Sequence, residues 1–152
     1  MGDPGLRDHQ PAPREPLDYL AFRELVHDAY TRYAQARIGQ MPLTRIAVNT
    51  AFAAIRQAWP RTLSSASAPQ TAWRLLRQTV TCYADATPGA ASIVHCILDH
   101  ATADAVLLHR RLGMPLRQAA DLMGVDNSAV RALLVRADRA LDCLAEEGPR
   151  TT

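Results

Sequence analysis

Apolar positions recur along this chain with the 3.6-residue period of a helix and nowhere alternate at the two-residue period of a strand. Between Pro16 and Ile38, Leu20, Leu25, Ala29 and Tyr33 form one stripe, widened by Phe22, Val26 and Tyr30. That pattern predicts a first helix that stops at Gly39. A second helix follows Pro42, carried by Ile46, Ala47, Thr50, Ala54 and Ile55, and ends at Trp59-Pro60. The Ser-rich segment RTLSSASAPQ reads as a loop closed by Pro69. Trp73, Leu76, Val80 and Tyr83 share one face of a third helix, near Thr71 to Ala84. After a break at DATPGA, the pattern predicts a fourth helix from Ala91 to His100. A fifth runs from Thr102 as N-cap to Gly113, and two more reach about Glu146.

The expected class is therefore all-α, in two small helical domains. A three-helix half spans 16–84 and a four-helix half spans 92–146, joined by a short linker at 85–91. A disordered leader over 1–15 and a tail over 147–152 flank them. Composition agrees, since 48% of the 152 residues are apolar and Ala, Leu and Arg dominate. No apolar run reaches the length of a membrane span, and the polar, Pro-rich start lacks the apolar core of a signal peptide. A cytoplasmic protein with no membrane partner is expected. Cys82, Cys96 and Cys143 are odd in number and without paired spacing, which suggests buried helical thiols in a reducing compartment. Trp59 and Trp73 read as core anchors.

Charge is close to balanced overall but unevenly spread. All 17 basic residues are Arg. Residues 1–28 hold three Arg and six acids, and residues 85–152 hold seven Arg and nine acids. Residues 29–84 hold seven Arg and no acid. Within that basic middle, Arg37, Arg45, Arg56, Arg74 and Arg77 are candidate contacts to a polyanion or an acidic protein face.

The most informative stretch is 113–141. Pro115 stands where a helix begins and its missing amide costs nothing. Ala120 is small where two helices would cross. Gly124 permits a left-handed turn, and Asp126 is positioned to cap the helix that follows. Val130, Leu134, Ala137 and Leu141 then repeat at i, i+4, i+7 and i+11 as the stripe that packs on the first helix. This is a helix-turn-helix, whose second helix projects its opposite side toward a major groove. Asn127, Ser128 and Arg131 fall on that side, and Arg117 and Gln118 lie where the first helix would meet phosphates. These five are the candidate DNA-binding residues.

Here the chain resembles extracytoplasmic-function sigma factors of bacteria. Gly113-Met-Pro-Leu-Arg-Gln-Ala-Ala, Met123-Gly-Val-Asp, Ala129-Val-Arg and Arg136-Ala-Asp-Arg are similar to the family's −35-reading domain. The upstream ASIVHCILDH and TADAVLLHRRLG resemble the first two helices of that domain. More weakly, Phe22-Arg-Glu-Leu through Arg37-Ile-Gly, Thr50-Ala-Phe52, Trp59 and Thr71-Ala-Trp73 resemble the domain that binds core polymerase and the −10 element. The resemblance implies a DNA-binding transcriptional regulator, with promoter DNA and either core RNA polymerase or an anti-sigma protein as partners.

Three departures from the family pattern shape that expectation. Where the family carries acids that dock on polymerase, this chain has Thr44-Arg-Ile-Ala-Val-Asn-Thr-Ala-Phe52, with no acid. The linker of about seven residues reaches at most ~25 Å, short of the ~34 Å of one DNA turn, which favours two halves packed together. Ala132, Leu133 and Val135 thin the reading face of the second helix. The implied protein is a regulator atypical in polymerase binding, with a degenerate sigma-fold interaction module and a working divergent sigma factor as the alternatives. His95, Cys96 and His100 share no complete metal geometry. No catalytic grouping, phosphate loop or cofactor signature is present, so neither an enzyme nor a small-molecule substrate is expected.

Overall fold

A computed structural model describes residues 14–87 and 93–148, and among these every regular element is helical. Helix α1 spans Leu17–Ile38, α2 Met41–Gln57, α3 Trp59–Ser64 and α4 Ala68–Asp85. Then come α5 (Ile93–Ile97) and α6 (His100–Val106), which runs directly into a π-helical turn at Leu107–Arg111. Helices α7 (Leu116–Met123) and α8 (Asn127–Glu146) complete the chain. The leader (apart from Arg14 and Glu15), residues 88–92 and the end of the tail lie outside the described residues.

Local chemistry sets most boundaries. Gly39 ends α1 in the left-handed conformation, with φ +79° and its amide on the Gln35 carbonyl. Prolines open helices here more often than they close them. Trp59-Pro60, expected as a terminus, starts α3, because a proline in the first turn gives up an amide the helix does not use. Pro69 does the same for α4, which starts at Ala68 with the Ser67 hydroxyl accepting from the Gln70 amide. The expected ten-residue loop therefore shrinks to three residues. The N-cap of α6 is Asp99, whose carboxylate accepts from the Thr102 amide at 3.0 Å and from its hydroxyl at 2.8 Å. Thr102, assigned as the cap from sequence, is instead the residue being capped. Helix α5, described over Ile93–Ile97, ends short of the expected His100, while residues 91 and 92 lie outside the described residues.

The buried face of α1 is Tyr19, Val26, Ala29, Tyr30, Tyr33, Ala34 and Ile38. Val26, Ala29, Tyr30 and Tyr33 of the expected stripe are buried, whereas Leu25 is 82% exposed, Leu20 also faces out, and Tyr19 takes an inward place not expected of it. In α2, Ile46 is exposed while Ala47, Val48, Ala51, Phe52 and Ile55 are buried. Aromatic rings organise this half. Tyr30 stacks on Phe52 at 5.6 Å, Tyr19 meets Trp59 edge-on at 5.4 Å, and Tyr33 meets Trp73 at 4.7 Å. Both tryptophans are buried, as expected of anchors. The cysteines are not: Cys82, Cys96 and Cys143 are all exposed on their helices, contrary to the expectation of buried thiols. Cys82 and Cys143 stand outside the buried stripes of α4 and α8, and α5, which carries Cys96, buries none of its residues.

The two halves share one continuous set of buried side chains, from Tyr19 in α1 to Ala137 in α8. Asp104 of α6 lies at the seam with 0% exposure. Its Oδ1 accepts from Tyr33 Oη at 2.7 Å and sits 2.8 Å from His95 Nε2, while its Oδ2 accepts from Trp73 Nε1 at 3.3 Å. Arg77 lies 3.8 Å from the same oxygen. Burial, reinforced by the Asp104 charge, pushes the Tyr33 phenol well above its ordinary range, so it stays a hydrogen-bond donor. At the other end of the seam, Gly124 (φ +70°) leaves room for α4: a Cβ there would fall on the Gln70 backbone nitrogen and 2.6 Å from its Cα. The Ser67 hydroxyl also reaches the Gly124 carbonyl at 3.4 Å.

Two substitutions test this seam. Gly124→Ala combines a left-handed backbone, worth ~1–2 kcal/mol, with a clash on α4, and should destabilise the chain by more than ~2 kcal/mol in total. Gly113→Ala (φ +67°, nothing within 4 Å) carries only the first penalty. Urea unfolding should rank them in that order, and equal losses would mean that α4 does not press on the turn. Asp104→Ala strands donors from α1 and α4 and should cost about 3 kcal/mol or more in the same assay.

Candidate nucleic-acid interface

A helix-turn-helix needs a first helix held rigidly, a left-handed turn and a second helix buried on one side only. Helix α7 buries Ala119, Ala120, Leu122 and Met123. It ends at Gly124 with the Val125 amide returning to the Ala120 carbonyl at 3.0 Å. Helix α8 buries Val130, Leu134 and Ala137. Leu141, the fourth expected member of that stripe, is 37% exposed because α8 runs past the helices it packs on. Asp126 holds the N-cap position with extended backbone, but its carboxylate makes no capping bond to an α8 amide. Asp126 therefore contributes its charge near the positive end of the helix rather than a bond.

Behind α8, α6 forms the main support. Arg110 in the π-helical turn pairs with Asp138 at 2.7 Å, and Arg136 lies 3.8 Å from the Asp99 cap. The Arg110 hydrogen bond draws the exposed Asp138 carboxyl below its ordinary range. Asp99 is lowered chiefly by the Thr102 amide. The π-helical turn places the Leu112 amide on the Leu107 carbonyl at 2.9 Å, and His109 Nδ1 donates to the Met114 carbonyl at 2.8 Å. Together these fix the entry into α7.

The five residues proposed from sequence for DNA contact, Arg117, Gln118, Asn127, Ser128 and Arg131, are all exposed. They do not form one surface of equal standing. Asn127, Ser128 and Arg131 sit on the outward side of the first turns of α8. Gln118 lines a groove of about 630 Å³ between α1 and α7, together with Leu25, Tyr30, Asp121, Leu122 and Asp126. Downstream of Arg131 the outward face of α8 carries Ala132 and a half-exposed Val135.

The arginines of the basic half scatter more widely. Arg37, proposed as a polyanion contact, is only 4% exposed and donates to Tyr33 Oη at 3.0 Å. It belongs to the core, where it supports the Tyr33–Asp104 bond, and offers no surface contact. Arg45 is exposed on α2, and Arg56 lies 5.8 Å over the Tyr19 ring. Arg74 and Arg77 face the cleft between α4 and the helix-turn-helix. Arg32, a residue not singled out from sequence, donates to the Leu112 carbonyl at 2.9 Å and so ties α1 to the end of the π-helical turn. His95 is turned onto Asp104 and Cys96 faces out, so the two do not converge. Asp104 itself was missed because a lone Asp in an apolar helix carries no sequence signal for the donors that come to it from distant segments.

No protein-family model, curated protein or solved structure matches this chain. Among the described residues, no helix is long and apolar enough to cross a membrane.

The Asp99 cap gives a pH test. Its folded pKa lies below the ordinary value of 3.8, so its contribution to stability is complete above about pH 4 and is lost as pH falls through the lower folded value. Asp99→Asn keeps an N-cap acceptor without the titration. The variant should unfold with a flatter pH dependence between pH 5 and about 2 than the parent, followed by circular dichroism. Identical acid profiles would remove Asp99 from this role.

Proposed function

We propose that this chain is a DNA-binding transcriptional regulator of the sigma-factor type, which reads DNA with α7 and α8 while its two halves stay packed together. One observation carries the reading: a helix pair joined through a left-handed glycine, with Asn127, Ser128 and Arg131 exposed on the side of α8 opposite its buried stripe. A helix presented in this way suits a major groove, where Asn and Arg side chains pair with base edges and phosphates. With three polar groups on that face, sequence reading is loose and backbone contacts supply much of the affinity.

The packed arrangement also bears on polymerase. Splaying the halves along a promoter would unpair Asp104 and expose Tyr33 and Trp73, which costs far more than bending a linker. The exposed Arg45 on an acid-free α2 offers the opposite charge to that expected of a sigma factor's polymerase-docking helix. Both features favour a compact regulator over an initiating factor. A second reading, a protein-interaction module, rests on the groove beside Leu25 and Leu122, whose apolar walls are open to a partner helix.

Gel-shift titration of double-stranded DNA at low salt tests the proposal. Arg131→Ala should weaken binding by roughly tenfold, in line with ~1–3 kcal/mol per good contact, and should flatten the salt dependence by about one unit of slope. Absence of DNA binding by the parent chain would sink the DNA reading and leave the interaction module. Stable copurification with bacterial core polymerase together with promoter-dependent run-off transcript would establish an initiating sigma factor instead.

A further inference from the structure

The cleft between α4 and the helix-turn-helix is a built pocket of about 320 Å³ to which both halves contribute. Its walls differ in chemistry. On one side α4 presents Arg74 and Arg77, one turn apart on the same face. On the other side Val125 and Leu133 present partly exposed apolar surface over the buried Met123, while Trp73 lies buried in the α4 wall itself. Arg77 is already drawn toward Asp104, 3.8 Å away, with 26% of its side chain exposed. Arg74 is exposed and has no ion-pair partner among the described residues. The volume is at the small end of ligand pockets, right for one ring or a short chain and too small for a dinucleotide.

We infer that this cleft binds a small amphipathic anion, an aromatic or branched carboxylic acid, with its carboxylate on Arg74 and its apolar body against Leu133 and Val125. The guanidinium fork of Arg74 matches the two oxygens of a carboxylate. An anion is favoured over a neutral ligand because, with Arg77 drawn to Asp104, Arg74 is left as an uncompensated positive charge on the wall among the described residues. An apolar body is favoured over a bare ion because burial against Val125 and Leu133 adds hydrophobic contact that phosphate cannot use. Since α4 and α8 belong to different halves, an occupant touches both and strengthens the seam. By linkage, any ligand of the packed form raises its stability. The inference does not depend on DNA binding.

Equilibrium dialysis of the full chain against phenylacetate tests it, with phenylacetamide and inorganic phosphate as the paired probes. Phenylacetate should saturate at one molecule per chain with Kd below ~1 mM, and the uncharged amide and the bare phosphate should each bind at least tenfold more weakly. Arg74→Gln, at an exposed position that folding does not use, should weaken phenylacetate at least tenfold, and Arg74→Lys should recover part of the loss. Leu133→Asn should weaken phenylacetate while leaving phosphate unchanged. No saturable binding by phenylacetate, equal binding of acid and amide, or an undiminished affinity in Arg74→Gln with a parent-like circular dichroism spectrum would each overturn the assignment. Phosphate binding as tightly as phenylacetate would do so too, marking Arg74 as a general anion contact.

Discussion

Asp104 holds a carboxylate where no solvent reaches it, and that burial is costly unless donors are brought to it from elsewhere. They come from three other helices: Tyr33 from α1, Trp73 from α4 and His95 from α5, with Arg77 of α4 at ion-pair range. Arg37 backs the Tyr33 hydroxyl in turn. A network of this kind is demanding in position, because each partner left without its bond becomes a buried unsatisfied group. It therefore fixes how α6, and through it α7 and α8, sits on the first four helices. Apolar packing alone would hold these halves together with less discrimination between neighbouring registers.

The helix-turn-helix inherits its geometry from that seam. Gly124 faces α4 so closely that no side chain fits, and Ser67 and Gln70 at the start of α4 press on the turn. Arg32 holds the end of the π-helical turn, and Arg110 ties it to α8. The outward face of α8 is left open by this arrangement because its buried stripe of Val130, Leu134 and Ala137 packs mainly on α6 and α7 on the other side. The outward side of α8 is thus presented from a rigid platform, at the expense of any freedom of the two halves to separate.

Arg74 and Arg77 gain their meaning from the same packing. On an isolated α4 they would be two solvated cations one turn apart. Against Met123, Val125 and Leu133 they become one wall of a cleft with an apolar opposite wall. The basic middle of the chain is thus divided by tertiary structure into three different roles. Arg37 is a core donor, Arg45 an open surface charge, and Arg74 a pocket residue.

The sequence determined the all-α class, the helix stop at Gly39, the glycine turn at 124 and the exposure of the Asn127, Ser128 and Arg131 side of α8. These follow from period, cap chemistry and backbone conformation, which act over a few residues and are written in adjacent positions. It placed Val26, Ala29, Tyr30 and Tyr33 of α1 correctly inward but misjudged Leu20 and Leu25, which face solvent. It left out Tyr19, which is buried with its hydroxyl on the Phe52 carbonyl, because hydrophobicity ranks leucine above a tyrosine whose hydroxyl finds a partner. It also took Trp59-Pro60 as an end when a first-turn proline made it a beginning. Only the tertiary structure decided that Arg37 is buried, that the three cysteines face out, and that Asp104 gathers donors from segments up to seventy-one residues away. A buried charge is tolerable only where its partners arrive, and no stretch of sequence on its own contains them.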